Sequence, residues 1–276
     1  MANQNLHKLR GPLCLLPDYL IVGAQKSGTS SLYQNLIQHP CVIPARCFYD
    51  SRKETRFFSK HYSKGTLWYR AHFASRLHKY YCKATRGQKV ITGESTPSYI
   101  FHPLAPKRIF ETVPQAKQIL LLRNPVDRAY SHYQHVVRLG KETLSFEEAI
   151  EAEPERLRGE KEKMLEDENY RSFDYMYHSY LTRGLYADQL EVWRSLFSME
   201  NILILNSDNF FADEITTYKR VLDFLELPTW YPGYFKKCNV GIYLKMNAST
   251  RKSLADFFRP HDKKLYRLIG QNFQWE

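Results

Sequence analysis

Short apolar runs alternate with longer amphipathic segments along this chain. The runs each hold several consecutive aliphatic positions, the pattern of a strand that is buried on both faces, and they lie at residues 19–25, 89–94, 118–123 and 201–207. Between them lie segments whose apolar positions are three and four residues apart, which predicts helices. The predicted helices cover residues 30–38, 103–112, 125–139, 146–150, 181–197, 215–225 and 251–269.

This alternation predicts an α/β fold, in which helices cover both faces of an open, mainly parallel sheet. Since no linker, repeat or low-complexity tract divides the 276 residues, we expect a single domain over residues 1–276. Residues 1–16 are expected to form a flexible N-terminus. Residues 151–171 are dense in charge and predict a solvated helix or loop insertion, with a mobile flap over a site as the second interpretation.

A glycine-bearing loop, GAQKSGTS at residues 23–30, directly follows the first apolar run. A strand, a loop of this kind and a helix predict an anion site, because backbone N–H groups and the helix N-terminus converge on phosphate oxygens. Lys26 precedes Gly28 by two positions, whereas the lysine of a nucleoside triphosphate P-loop follows the second glycine. An ordinary strand-to-helix turn remains the alternative at this point.

A second phosphate site is predicted where the third strand meets the next helix. Arg123 ends that strand, at the sheet edge where open α/β proteins bind ligands. Pro125 suits the first turn of a helix, and Ser131 follows about two turns later. Guanidinium and hydroxyl groups at one junction suit a phosphate, and two phosphate sites on one sheet suit a bisphosphorylated nucleotide.

Composition and charge narrow the possible partners. With 40 Lys and Arg against 29 Asp and Glu, the formal net charge is +11, which favours anionic partners such as nucleotides, sulfated glycans, anionic lipids or nucleic acid. The five cysteines lack zinc-site spacing and favour a reducing compartment. We expect no signal peptide in residues 1–10 and no membrane-spanning segment.

Four motifs together resemble one protein family. They are GAQKSGTSSLY at residues 23–33, RNPVDRAYSHYQH at 123–135, RGLYADQLEVW at 183–193 and FFRPHDKKLYRLIGQNFQWE at 257–276. In this combination the chain resembles, over residues 17–276, the sulfotransferase domain of the heparan sulfate 3-O-sulfotransferases and N-sulfotransferases. The resemblance implies the sulfotransferase fold and the sulfuryl donor 3'-phosphoadenosine 5'-phosphosulfate (PAPS), with 3'-phosphoadenosine 5'-phosphate (PAP) as product.

The resemblance also implies which residues hold the donor. Those implied for the 5'-phosphosulfate are Lys26, Ser27, Gly28, Thr29 and Ser30, and Gly23 at the start of the loop is a further cofactor-binding residue. Those implied for the 3'-phosphate are Arg123 and Ser131.

Two catalytic roles follow from the same resemblance. Glu54, in the segment KETRFF at residues 53–58, is implied as the general base that takes the proton of the acceptor. Lys26 stabilises the negative charge on the leaving phosphate, a contribution often worth about 3–4 kcal/mol per donor. Because related sulfotransferases use a histidine base, His61, His132 and His135 are competing candidates. This scheme requires no metal.

The chain departs from the family pattern at three places. The lysine expected directly after Glu94 is absent, and Arg56 stands where a histidine is frequent. The Lys-Gly-Arg cofactor loop near the C-terminus is replaced by residues 239–243. Lys245 or Arg251 could substitute for that loop.

We therefore predict a PAPS-dependent sulfotransferase in the cytoplasm, acting on a hydroxyl or amine of a small metabolite. A saccharide or glycosaminoglycan-like acceptor is the alternative. Two other classes stay open: a P-loop kinase, which would need ATP and magnesium, and a non-enzymatic binder of polyanions or nucleic acid. The kinase is disfavoured by the position of Lys26.

Overall fold

Five parallel strands form the sheet of the computed structural model, which describes residues 9–46, 54–239, 241 and 243–275. The strands are β1 Tyr19–Gly23, β2 Val42–Pro44, β3 Ile91–Ser95, β4 Lys117–Leu122 and β5 Ile202–Asn206. Their order across the sheet is β2-β3-β1-β4-β5. The predicted parallel sheet is thereby confirmed.

Helices connect the strands and surround the sheet. In chain order they are α1 Thr29–Leu36, α2 Thr66–Arg70, α3 Arg76–Arg86, α4 Ala105–Thr112, α5 Pro125–Arg138, α6 Phe146–Arg156, α7 Glu160–Glu166, α8 Phe173–Tyr177, α9 Tyr186–Leu196, α10 Ser207–Ala212, α11 Glu214–Phe224 and α12 Ala248–Ile269.

The two faces of the sheet are buried in separate hydrophobic clusters. Leu20 and Val22 of β1 pack in one cluster with residues of α4, α9 and α12. Tyr19 and Ile21 point to the other face and pack with residues of α1, α10 and α11. All four side chains are fully buried, and complete burial of an aliphatic side chain contributes roughly 1.5–3 kcal/mol. This alternation along one strand explains why helices cover both faces, as predicted.

The strand order places a crevice at the end of β1. After β1 the chain adds β2 and β3 on one side, then crosses to the other side to add β4 and β5. The carboxyl end of such a central strand is where open α/β sheets bind ligands, because the loops leave in opposite directions. The pairing of β1 with β4 shifts register between Ile21 and Gly23. Strand β1 ends at Gly23, two residues earlier than predicted.

Several elements differ from the sequence prediction. The three-residue edge strand β2 was not predicted, and neither were the short helices α2, α8 and α10 or the longer α3. Helix α6 continues to Arg156, past the predicted end at residue 150, and it begins with a capping box between Ser145 and Glu148. Most of the charged segment 151–171 is therefore helical, in the last turns of α6 and in α7.

The described part of the N-terminus lies against the loop that precedes α3. A short 3₁₀ turn covers Gly11–Leu13, and the backbone N–H of Leu15 donates to the carbonyl of Ala74 at 3.0 Å. Cys14 is buried and pairs with Ser75 in an isolated antiparallel bridge. Residues 1–8 of the predicted flexible terminus lie outside the described residues.

Candidate functional site

A cavity of about 790 Å³ lies at the carboxyl ends of the strands. Each of four strands is followed by residues that line it: Gln25 and Lys26 after β1, Pro97 and Ser98 after β3, Arg123 after β4, and Ser207 and Asp208 after β5. Open α/β sheets bind their ligands at this edge. The fold therefore places the predicted loop and the predicted arginine in one space.

The loop between β1 and α1 has the backbone geometry of an anion cradle. Lys26 and Gly28 both have left-handed backbones, with φ of 71° and 90°. A Cβ on Gly28 would lie 2.8 Å from Cζ of Phe211, so only glycine fits there. Gly28 is also the N-cap of α1, and no side chain caps this helix end. The N–H groups of its first turn are therefore available to an anion.

The predicted loop residues divide into two groups. Lys26, Gly28, Thr29 and Ser30 line the cavity. Gly23 and Ser27 are buried beneath the loop instead. A Cβ on Gly23 would lie 2.5 Å from Cγ2 of Ile100, so close packing explains this glycine.

Arg123 and Ser131 line the same cavity as the loop. Nη1 of Arg123 donates to the carbonyl oxygen of Lys26 at 3.2 Å, which joins the two predicted phosphate sites directly. Its own carbonyl oxygen accepts from the hydroxyl of Tyr186 at 3.0 Å. Helix α5 begins two residues after Arg123, and Oδ1 of its N-cap Asn124 accepts from the N–H of Val126 at 3.0 Å.

Glu54 lies at the cavity and is paired with a neighbouring cation. Nε of Arg56 donates to Oε2 of Glu54 at 2.9 Å, and the glutamate side chain is 15% exposed. Arg56 has a left-handed backbone, with φ of 51°, and begins the turn that continues as Phe57–His61. The carboxylate of Glu54 is therefore held by an ion pair at the cavity, where a general base must lie. Lys53 lies outside the described residues.

Glu94, at the end of β3, holds the segment that carries Glu54. Its fully buried carboxylate accepts from the backbone N–H of Thr55 at 2.9 Å and from the hydroxyl of Thr55 at 2.7 Å. It also accepts from the hydroxyls of Tyr69 (2.8 Å), Thr96 (2.7 Å) and Tyr99 (3.1 Å). Burial raises the pKa of Glu94, and these hydrogen bonds oppose the rise. No role was predicted for this residue, because Thr55, the partner next to Glu54, is 39 positions away along the chain.

The competing histidines lie in different surroundings. Burial and the positive charges of Lys26 and Arg138 lower the pKa of His135 to about 4, and Glu54 opposes that shift. His135 is therefore a neutral imidazole at the cavity, close enough to interact with both predicted catalytic residues. His132 is fully buried, and neither of its ring nitrogens has a hydrogen-bond partner among the described residues. Burial also lowers the pKa of His61 to about 4.

Further cations line the cavity besides Lys26 and Arg123. The side chains of Arg56, Lys60, Arg138 and Arg171 all line it. Nη2 of Arg171 donates to the carbonyl of Lys60 at 2.9 Å, which ties the end of the charged segment 151–171 to the turn after Glu54. This segment thus supplies part of the cavity wall. Such a wall suits an acceptor that carries negative charge.

A different loop takes the place of the missing Lys-Gly-Arg motif. Lys237 and Asn239 line the cavity, and Nδ2 of Asn239 donates to the hydroxyl of Ser30 at 3.1 Å. The two substitutes considered from the sequence lie elsewhere: Arg251 pairs with Asp127, and Lys245 is not a lining residue. Val240 and Ile242 are outside the described residues. The sequence offered no signal for Lys237, since its approach depends on how the loop folds back over α1.

Three further features of the described residues concern the cysteines, possible metal-ligand groups and possible membrane-spanning helices. Cys14, Cys82 and Cys238 are free thiols, Cys41 is buried, and Cys47 is not among the described residues. Over residues 9–46, 54–239, 241 and 243–275 no group of His, Cys, Asp and Glu side chains is arranged to hold a metal ion. Within those same ranges no helix is both long and apolar enough to cross a membrane.

Comparison with known proteins gives consistent matches. The family described as "Sulfotransferase domain" matches residues 16–246. A sulfotransferase structure from Alicyclobacillus acidocaldarius is 30% identical, covers 94% of this chain and 98% of its own, and superposes with a TM-score of 0.68. Membrane-associated sulfotransferase kil1 of Dictyostelium discoideum is 28% identical over 97% of this chain and 68% of its own length. Mouse (Mus musculus) heparan sulfate glucosamine 3-O-sulfotransferase 3B1 is also 28% identical, over 95% and 65%. The chain thus spans about two thirds of these two curated relatives, and the resemblance seen in the motifs is confirmed.

Proposed function

The chain belongs to the sulfotransferase domain family and is an enzyme of that class, and we propose that it moves the sulfuryl group of PAPS to a hydroxyl or amine. One observation carries the proposal: the loop after β1, Arg123 and Ser131 after β4, and Glu54 all meet at one cavity. The alternatives of a kinase and of a non-enzymatic binder lose support, because the family is one of sulfotransferases.

The residues present fit PAPS. Lys26 and the uncapped first turn of α1 would hold the 5'-phosphosulfate, with Thr29 and Ser30 supplying hydroxyls. Arg123 and Ser131 would hold the 3'-phosphate from the adjacent junction. When bound, PAPS supplies the sulfuryl group that is transferred. Lys26 would neutralise the charge that develops on the phosphate oxygens during this transfer.

Glu54 is our proposed general base. The carboxylate lies at the cavity, where it is ion-paired with Arg56, and a carboxylate there can take the proton of an acceptor hydroxyl or amine. His135 is the second candidate, since it is neutral at physiological pH and can also accept a proton. Its electrostatic interaction with both Lys26 and Glu54 favours a role in orienting the carboxylate or in relaying its proton.

A small cytoplasmic metabolite remains our proposed acceptor, and the cytoplasmic location itself stays a prediction that cell fractionation would test. A saccharide is the second candidate, and two observations favour it. A relative is a heparan sulfate glucosamine 3-O-sulfotransferase. The cavity wall formed by Arg56, Lys60, Arg138 and Arg171 also suits the carboxylates and sulfates of an acidic saccharide.

Calorimetric titration with PAP, ATP and ADP tests donor binding. We expect micromolar binding of PAP with a clear preference over ATP, and a loss of turnover of about 10²–10³-fold in Lys26→Ala. The matched control is Lys252→Ala, which removes an equal charge from an exposed position on α12. Absence of PAP binding, or a preference for ATP with magnesium, would overturn the proposal.

Turnover measurements on two variants test the base. Glu54→Gln should keep the affinity for PAP while sulfuryl transfer falls, because the amide cannot accept the proton. His135→Gln should lower transfer less if Glu54 is the base. Full activity of Glu54→Gln would refute the assignment.

The acceptor class can be tested with neutral and acidic oligosaccharides beside hydroxylated and amino metabolites. If the acceptor is anionic, the double variant Lys60→Gln/Arg138→Gln should raise the KM for the acceptor and leave the Kd of PAP unchanged. The Lys252→Gln control should change neither value. Equal KM values for wild type and double variant would exclude an anionic acceptor at this wall.

A further inference from the structure

Helix α3 exposes its apolar stripe to solvent. Leu77, Tyr80, Tyr81 and Ala84 follow the spacing i, i+3, i+4, i+7, which places them on one face of the helix. Leu77 is 80% exposed, Tyr80 is 74% exposed and Tyr81 is 65% exposed. Cys82, 5% exposed, faces the protein instead. An amphipathic helix normally buries its apolar face, so this orientation points to a surface that covers it.

The charges around this stripe have one sign. Helix α3 contains Arg76, Lys79 and Lys83 and has no acidic residue between positions 76 and 86. Lys79 forms an ion pair with Asp18, with Nζ 2.7 Å from Oδ1, while Arg76 and Lys83 are exposed. Leucine and tyrosine on one face, with lysine and arginine at its borders, are typical of helices that lie in the interface of an anionic bilayer.

Two neighbouring segments also expose apolar side chains. The 3₁₀ turn Gly11–Leu13 lies directly before Cys14, which pairs with Ser75 at the start of α3. Leu13 at the end of this turn is 63% exposed, and Leu67 of α2, the helix that the turn packs against, is 48% exposed. The exposed apolar side chains therefore come from three adjoining elements rather than from one helix alone.

The position of α3 leaves the cavity open. Its Lys79 binds Asp18, directly before β1, whereas Lys26 and the cavity follow β1 at its other end. No residue of the stripe is among those that line the cavity. A flat surface that covers the stripe would thus not compete with donor or acceptor for the same residues.

We propose that the stripe of α3 docks on an anionic lipid bilayer, with Leu77, Tyr80 and Tyr81 in the headgroup region and Arg76 and Lys83 beside acidic headgroups. An anionic bilayer is the favoured partner because its negative headgroups complement the basic residues beside the stripe. A symmetric pairing of two copies through α3 would bring its basic residues against their own counterparts, which disfavours self-association. The proposal is independent of the sulfuryl-transfer reaction, because it involves none of the cavity residues.

Vesicle flotation tests the proposal with the full chain. We expect binding to vesicles of phosphatidylcholine with phosphatidylserine, weak binding to phosphatidylcholine alone, and loss of binding as salt is raised. Arg76→Gln/Lys83→Gln should weaken binding by about 30-fold, since each basic residue near such a surface contributes about fivefold. Leu77→Ser/Tyr80→Ser should abolish stable binding while the charge is unchanged.

Matched variants distinguish binding through the stripe from nonspecific binding of the protein to vesicles. Ile215→Ser/Tyr234→Ser removes two other exposed apolar side chains, and Lys252→Gln/Lys263→Gln removes two other exposed charges. Neither control should alter vesicle binding, and PAP affinity should be equal in all variants, which also shows that they are folded. Equal losses in control and test variants would overturn the proposal. So would absence of vesicle binding by the wild type, or a dimer that the stripe variants dissociate.

Discussion

Replacement of Glu94 by glutamine probes the network that holds the candidate base. The buried carboxylate accepts five hydrogen bonds from four residues, Thr55, Tyr69, Thr96 and Tyr99. Glutamine has nearly the same shape but replaces one acceptor oxygen by an amide donor. The substitution therefore changes hydrogen bonding and charge with little change in volume.

The expected cost can be worked out for both orientations of the amide. If the nitrogen replaces Oε2, it faces the backbone N–H of Thr55, which cannot rotate away and loses its acceptor. If it replaces Oε1, three hydroxyls must reorient, those of Thr55, Tyr69 and Tyr99. A buried donor without an acceptor costs about 1–3 kcal/mol, so we expect a loss of that size in either case. For a chain of this length, that corresponds to a decrease in Tm of about 2–10 °C.

Urea unfolding of wild type, Glu94→Gln and the control Glu151→Gln measures the loss, since Glu151 is an exposed glutamate. Burial raises the pKa of Glu94 above its ordinary value of 4.5. The contribution of this group to the free energy of unfolding is therefore largest below pH 4.5, and it is lost as pH rises through the raised pKa. The deficit of Glu94→Gln should thus shrink as pH rises. A deficit equal to that of the control, or one that grows with pH, would refute the reasoning.

Three other predictions follow from single contacts. Gly28→Ala should cost about 1–3 kcal/mol of stability in backbone strain, and the contact of the new Cβ with Phe211 should also weaken PAP binding. Its control is Gly140→Ala, where φ is also positive but the space is open, so that only stability should fall. Thermal unfolding measures the stability of both variants, and calorimetry measures their affinity for PAP. Burial lowers the pKa of His102 to about 3, so the stability that this group contributes above pH 6.5 is lost as pH falls toward 3. Urea unfolding should therefore show a smaller loss of unfolding free energy in acid for His102→Gln than for wild type, by up to about 2 kcal/mol at pH 5. Arg123→Ala should weaken PAP more than it weakens 5'-AMP in calorimetric titration, and equal losses would contradict its assignment to the 3'-phosphate.

Much of the candidate site could be predicted because its parts are local in sequence. The loop with Lys26 and Gly28 follows one strand directly, and Arg123 and Ser131 belong to one strand–helix junction. Residue type and spacing within each of these segments were therefore enough to predict them as phosphate sites. Glu54 was different, since only the resemblance singled it out among exposed charges.

The residues that were missed act across long separations. Glu94 binds Thr55, 39 positions away, and Asn239 binds Ser30, 209 positions away. No periodicity connects such positions, so a pattern cannot show that they meet. For the same reason Lys245 and Arg251 were the predicted substitutes for the cofactor loop, whereas in the structure Lys237 lines the cavity.

By itself the sequence determined the α/β class, the main strands and helices, and the positions of the two motifs predicted to bind phosphate, because consecutive aliphatic positions mark buried strands and apolar spacings of three and four mark helices. The tertiary structure alone decided the strand order, the edge strand β2 and the meeting of the motifs at one cavity. It also decided that α3 turns its apolar face outward. These features depend on which distant segments exclude water together, and that free energy belongs to the packed chain rather than to any one segment of it.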